Sequence, residues 1–265
     1  MTTVEVPNAL TLGAVLPDGK PFAYTLNYRP NATGWIIHMS GGGWNFLKNE
    51  TNDDRSRQEQ TQQLKPILDG VATVALAANA SGESGCYGIC DGIMSNDPVN
   101  NPDFATWNKV FIPIGDRTAF TADRWAGTPL FRGKRNLDAT IDDLMTRFNM
   151  TQATHVVLTG GSSGGHATYL NCDRIANKVA RRAPAVEYAC LADAGFFIKH
   201  DTVAGVPAAT NSEFEQSFYA WNSSAAINED CLAHYAALGA PEQCIFAQNV
   251  LPFIKSRVRD AAHLL

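Results

Sequence analysis

A serine hydroxyl becomes a useful nucleophile only when the backbone presents it and a neighbouring base takes its proton. The stretch Gly160-Gly161-Ser162-Ser163-Gly164-Gly165 offers the presentation. It fits G-x-S-x-G, with an apolar strand candidate, His155 to Gly160, before it and a helix candidate beginning near Gly164 after it. Ser162 would then sit on the tight strand-to-helix turn of a nucleophile elbow, where small flanking residues are needed because the backbone is crowded. Unpaired N–H groups at the start of the following helix favour the negative oxygen formed when a hydroxyl attacks an ester. A second stretch, Ser40-Gly41-Gly42-Gly43-Trp44, follows the apolar run Gly34 to Met39. Taken alone it reads as a flexible glycine turn. Beside the elbow, its uncovered N–H groups suit a second set of oxyanion donors.

The elements that must position these residues alternate along the chain. Leu12 to Tyr28 reads as a hairpin about Pro17-Asp18-Gly19-Lys20. Gly34 to Met39, Gly70 to Leu76, Val110 to Ile114, His155 to Gly160 and Val186 to Leu191 read as strands. A surface helix is expected toward Leu68, and Leu137, Ile141, Leu144 and Met145 give Asn136 to Phe148 a helical apolar stripe. A helix to about Asn177 follows the elbow, and mixed polar helices start from Asn211. The glycine-, serine- and asparagine-rich stretch Asn79 to Asp103 is a long loop, of a kind that is usually functional or tied down. Alternating strands and helices imply an α/β fold with a mostly parallel sheet and helices on both faces. Its site lies at the carboxyl ends of the strands, where Ser162, Gly43 and Asp193 fall.

Composition sets limits on partners. The 265 residues are 45% hydrophobic and 18% charged, with net charge -5, so a single domain is expected, with no general attraction to nucleic acid or an anionic membrane. No window is apolar for long enough to span a membrane. Met1 to Pro7 lacks the basic start and apolar core of a signal peptide, which leaves a chain not secreted by that route, or a mature or incomplete form. Six cysteines (Cys86, Cys90, Cys172, Cys190, Cys231, Cys244) are either thiols or a disulfide set whose pairing the sequence leaves open. Cys86 and Cys90 have no second close pair, so no zinc site, and no other metal or cofactor, is expected. Sequons begin at Asn31, Asn49, Asn79, Asn149 and Asn222.

Beyond the two glycine stretches, the chain carries Gly92-Ile93-Met94-Ser95-Asn96, Asn101-Pro102-Asp103-Phe104, Trp107-Asn108, Phe131-Arg132-Gly133, Asp142-Asp143-Leu144-Met145, Cys172-Asp173 and Cys190-Leu191-Ala192-Asp193-Ala194-Gly195-Phe196-Phe197. With these, in this order from about Gly13 to Val250, the sequence resembles the pectin acetylesterase family, which also contains the lipid-deacylating carboxylesterase Notum. The resemblance implies an α/β-hydrolase fold, a Ser-His-Asp carboxylesterase acting outside the cell or in the cell wall, and an acetylated, pectin-like polysaccharide as substrate; a monomer is expected. It makes Ser162 the nucleophile and gives the oxyanion hole to the N–H groups of Gly43 or Trp44 and of Ser163. Two departures stand out. Asn45 and Phe46 follow Trp44 where the family usually has a cysteine. The segment 255–265 does not match the family's last strands, whose loops bear the acid and histidine. A chain truncated before that acid and histidine is therefore expected, with an exposed apolar sheet edge prone to aggregation. The substitutes within the chain are Asp193 as acid, with His166, His200, His234 and His263 as bases. His166 stands four residues past Ser162 and reads better as a helix-packing residue; His263 would need the tail to fold back. The alternatives are a non-catalytic relative that binds carbohydrate or acyl groups, with Trp44 and Trp107 either in the core or as stacking surfaces, and a Notum-like lipid-protein deacylase.

Overall fold

The computed structural model describes residues 1–46, 92–125 and 130–260. Among them, seven strands form one sheet in the order β1-β2-β4-β3-β5-β6-β7. They are β1 (Thr2–Glu5), β2 (Ala23–Asn27), β3 (Gly34–Met39), β4 (Asn108–Ile112), β5 (His155–Gly161), β6 (Glu187–Asp193) and β7 (Arg257–Asp260). β3 pairs in parallel with β4 and β5, β6 pairs in parallel with β5 and β7, and only the pairs made by β2 are antiparallel. The central strands are apolar for the reason parallel strands usually are: Trp35, Ile36, Ile37, Met39, Val156 and Leu158 are all buried. Register brings Met39 level with Gly160, and Gly161 level with Asp193, so three carboxyl ends form one ledge.

The described helices are α1 (Ala9–Leu12), α2 (Gly133–Arg147), α3 (Ser163–Ala180), α4 (Ala209–Ala220), α5 (Glu229–Ala237) and α6 (Ala247–Val250). The predicted stripe on α2, Leu137, Ile141, Leu144 and Met145, is buried. α2 and α3 run side by side in the same direction, because their contacts advance together: Arg174 to Asp138, Lys178 to Asp142 at 2.8 Å, and Arg182 to Thr146 at 3.3 Å. Partly exposed pairs of this kind contribute about 0 to 1 kcal/mol each, so the apolar stripe holds the helices and the pairs set their register. Two disulfides tighten the frame. Cys172–Cys190 ties α3 to β6, and Cys231–Cys244 ties α5 to the 3-10 turn Pro241–Ile245.

Two expectations change. The turn at Asp18 exists, with Val15 bridging Pro21, but β2 pairs with β1 and β4 instead of with the strand expected from Leu12. Leu12 ends α1. In the tail, Lys255 and Ser256 give their N–H groups to the Asp173 carboxylate, and the chain then enters β7, which lies along β6 with Val258 half-buried and Arg257 and Arg259 exposed. The expected bare apolar edge of β6 is covered by this strand, whose exposed arginines are of the kind that discourage further pairing. The helix toward Leu68, the strand Gly70 to Leu76, the loop as far as Asp91, and Cys86, Cys90 and His263 lie outside the described residues.

Candidate active site

β5 delivers the chain to Ser162, whose φ of 55° and ψ of -122° belong to a region that side chains rarely occupy. The turn is held from both sides. Ser162 donates its N–H to the Asp193 carbonyl at 2.9 Å, and its own carbonyl accepts the His166 N–H at 3.0 Å as the first bond of α3. The close approach of α3 to the sheet needs glycine, since a Cβ on Gly164 would lie 2.1 Å from the Met39 carbonyl oxygen. Ser162 itself is exposed, and its hydroxyl does not cap the helix it precedes.

The glycine loop lies across the elbow. A Cβ on Gly41 would meet the Gly161 carbonyl oxygen at 2.5 Å and the Ser162 Cβ at 3.1 Å. The loop is pinned at its ends: Ile114 donates to the Ser40 hydroxyl at 2.8 Å, and Asn45 donates to the Arg117 carbonyl at 2.9 Å. The Trp221 indole then donates to the Asn45 carbonyl at 3.0 Å. Between the pins, the N–H groups of Gly43 and Trp44 take no acceptor among the described residues; nor does that of Ser163, the first residue of α3. The Trp44 ring packs edge-on against Phe197 at 4.5 Å and Phe214 at 5.0 Å, forming an aromatic wall beside the loop.

The shelf under this loop is the segment after β4, which the sequence reading passed over. Arg117, Ala119 and Phe120 have φ of 58°, 49° and 54°, an unusual run for residues with side chains. Asp116 organises it: its fully buried carboxylate accepts from Thr118 Oγ1 at 2.8 Å and from the Gly133 N–H, at the start of α2, at 2.6 Å. Burial raises its pKa to about 6, against the pull of those hydrogen bonds. The available signal was Gly115-Asp116-Arg117-Thr118 directly after a strand.

The substitutes for a base are spread through the molecule. His166 is buried, its Nδ1 accepting from the Trp44 indole at 3.3 Å and its Nε2 within 2.6 Å of the Ile245 carbonyl. Both ring nitrogens are occupied, and burial lowers its pKa to about 4. His200 is exposed, with Nδ1 2.7 Å from the Asp201 carbonyl, and His234 on α5 packs on Tyr235 and Phe253. Among the described residues, no histidine is hydrogen-bonded to Ser162. Asp193 reaches the elbow through its backbone carbonyl, while its side chain is exposed. Trp107 packs under Gly34 and on His155, at the opposite, amino ends of β3 and β5, so the two tryptophans do not share a surface.

A cleft of about 610 Å³ lies elsewhere, lined by Lys134, Asp138, Asp173, Arg174, Lys178 and Lys255 among others. Most of its charges are already matched in pairs, such as Lys134 with Asp138 and Lys255 with Asp230. Among the described residues, no group of three or more acidic, histidine or cysteine side chains could hold a metal ion, and no helix is long and apolar enough to cross a membrane.

Comparison with known proteins bears on the fold and the family. Pectin acetylesterase 7 of Arabidopsis thaliana is 29% identical over 260 residues, 94% of this chain and 58% of that protein. Pectin acetylesterase 11 of the same plant is 30% identical over 254 residues, covering 92% of this chain and 56% of its own. The human palmitoleoyl-protein carboxylesterase NOTUM is 26% identical over 256 residues, covering 91% and 46%. This chain thus spans about half the length of the curated relatives it matches. The solved structure of the Wnt deacylase Notum from Drosophila has a TM-score of 0.77 at 20% identity, covering 98% of this chain and 70% of that one, and so shares the fold. The pectinacetylesterase family model matches residues 1–258, reaching further at both ends than the motifs that carry the resemblance. The chain belongs to the pectinacetylesterase family.

Proposed function

We propose that this chain carries the acyl-transfer half of a serine carboxylesterase that removes acetyl groups from a pectin-like polysaccharide. In this reading the Ser162 hydroxyl attacks the ester carbonyl, and the oxyanion is held by the N–H of Ser163 with that of Gly43 or Trp44. The sugar hydroxyl leaves with a proton, and water then hydrolyses the acyl-serine. The observation that carries the reading is the exposed, strained Ser162 at a turn that the glycine loop crosses, with unpaired backbone N–H groups on that loop and at the start of α3. The acetyl and polysaccharide assignments rest on the relatives' names. A location outside the cell or in the cell wall is supported by two disulfides in an α/β chain of ordinary size.

A second reading, a relative that keeps the fold and its groove without turnover, is favoured by the absence of a histidine at Ser162 among the described residues. One comparison separates them: acetate release from acetylated pectin and from an aryl acetate, by the chain and by Ser162→Ala. Release that disappears in the mutant supports an armed serine. Equal background rates assign the second reading. Activity confined to long-chain acyl esters would move the substrate toward that named for the human relative.

A further inference from the structure

Gly41, Gly42 and Gly43 have no side chains with which to hold their loop, so between the pins at Ser40 and Asn45 the one side chain that can anchor it is Trp44. The polar end of that anchor is His166. We propose that His166 is a positioning residue: a neutral imidazole, protonated on Nε2 alone, that clamps Trp44 to α3 and to the Ile245 carbonyl and so fixes the oxyanion donors over Ser162.

The argument is one of valence. The Trp44 indole is only a donor and a main-chain carbonyl is only an acceptor, so the group between them must accept on one edge and donate on the other. Neutral imidazole does this in one tautomer, with Nδ1 accepting from Trp44 and Nε2–H donating to Ile245. Protonated imidazole would present Nδ1–H to the indole N–H, two donors face to face. The side chains around the ring are Trp44 from the glycine loop, Phe197 from the segment after β6 and Phe214 from α4, none of them charged. The Ile245 carbonyl favours a cation, but burial of the ring outweighs it and lowers the pKa. The far end of the clamp is itself anchored, since Ile245 follows Cys244, which is bonded to Cys231 on α5. This inference rests on the oxyanion role given to the glycine loop above, but the clamp also has a readout of its own.

The test uses the full chain labelled with ¹⁵N at histidine and tryptophan, with Trp44→Phe to assign the indole signal. The ring shifts of His166 should report a protonated Nε2 and a bare Nδ1, unchanged between about pH 5.5 and 8. The Trp44 indole N–H should exchange slowly with solvent. In His166→Phe that protection should vanish, and covalent labelling of Ser162 by a fluorophosphonate should slow by roughly tenfold to a hundredfold, the cost of a displaced reacting group. In His166→Gln, which can accept and donate from one amide, most of both should return. A wild-type His166 protonated on Nδ1, or titrating near pH 6.5, overturns the clamp; so do unchanged indole protection and labelling in His166→Phe. If the wild-type chain takes no label, the esterase reading fails and the indole and ring signals alone decide the clamp.

Discussion

Ser162 stores strain where the chemistry is proposed. A side chain at φ 55° and ψ -122° costs on the order of 1 to 3 kcal/mol, which glycine would not incur. Ser162→Gly should therefore raise the melting temperature by about 2 to 4 °C per kcal/mol recovered while abolishing covalent labelling. A mutant that melts below the wild type would refute the strain argument. Acidity gives a second prediction at this scale. His38 and His166 are held neutral by burial, with pKa values of about 4 against an ordinary 6.5. The unfolded chain takes up those protons first, so stability present above pH 6.5 is lost as pH falls toward 4. Asp116, raised to about 6, runs the other way and returns part of the loss, because its protonated form is favoured in the fold. Two histidines outweigh one carboxylate, and a net loss on the order of a few kcal/mol is expected between pH 6.5 and 4.5. A melting temperature that holds or rises over that interval would contradict it.

At the scale of elements, the strands that position the site could be read from the sequence because each is a short apolar run closed by glycine or polar residues. Gly34–Met39 formed as expected, and β5 and β6 differed from expectation by one or two residues. What could not be read was held by long-range bonds. α2 begins at Gly133, a turn before its apolar stripe, because Asp116 accepts that N–H from seventeen residues upstream. β7 exists because Asp173 on α3 orders Lys255 and Ser256 ahead of a short charged strand with little apolar signal. Lys109 sits fully buried in β4 because its ammonium reaches Asn96 and the carbonyls of Phe104 and Ala105, a cage that no local pattern announces. The elbow was legible as a motif, but the hydrogen bonds of His166 were not, since its partners Trp44 and Ile245 are distant in sequence. The disulfides make a prediction here. Cys172–Cys190 closes an 18-residue separation between the elbow's helix and its supporting strand. Replacing both cysteines with alanine should cost about 2 to 4 kcal/mol. A loss below about 1 kcal/mol in denaturant unfolding would show that packing alone sets this junction.

Over the whole molecule, charge decides little about binding and something about rate. The net charge of -5 opposes an anionic polysaccharide at long range. Raising salt from about 20 to 200 mM shortens the screening length and should leave kcat/KM on acetylated pectin unchanged or higher. A steep fall with salt would point instead to a cationic docking face, for which the arginine- and lysine-lined cleft along α2 and α3 would be the first place to look. The sheet, the Cys172–Cys190 disulfide and the ledge of carboxyl ends meet at one turn, and the account depends on what that turn does. The most direct measurement is covalent labelling of the intact chain by a fluorophosphonate, read by mass on the peptide containing Ser162 with Ser162→Ala alongside. The account predicts a single adduct on Ser162, absent from the mutant. An unlabelled Ser162 in a folded chain would contradict it and leave a hydrolase fold without an armed serine.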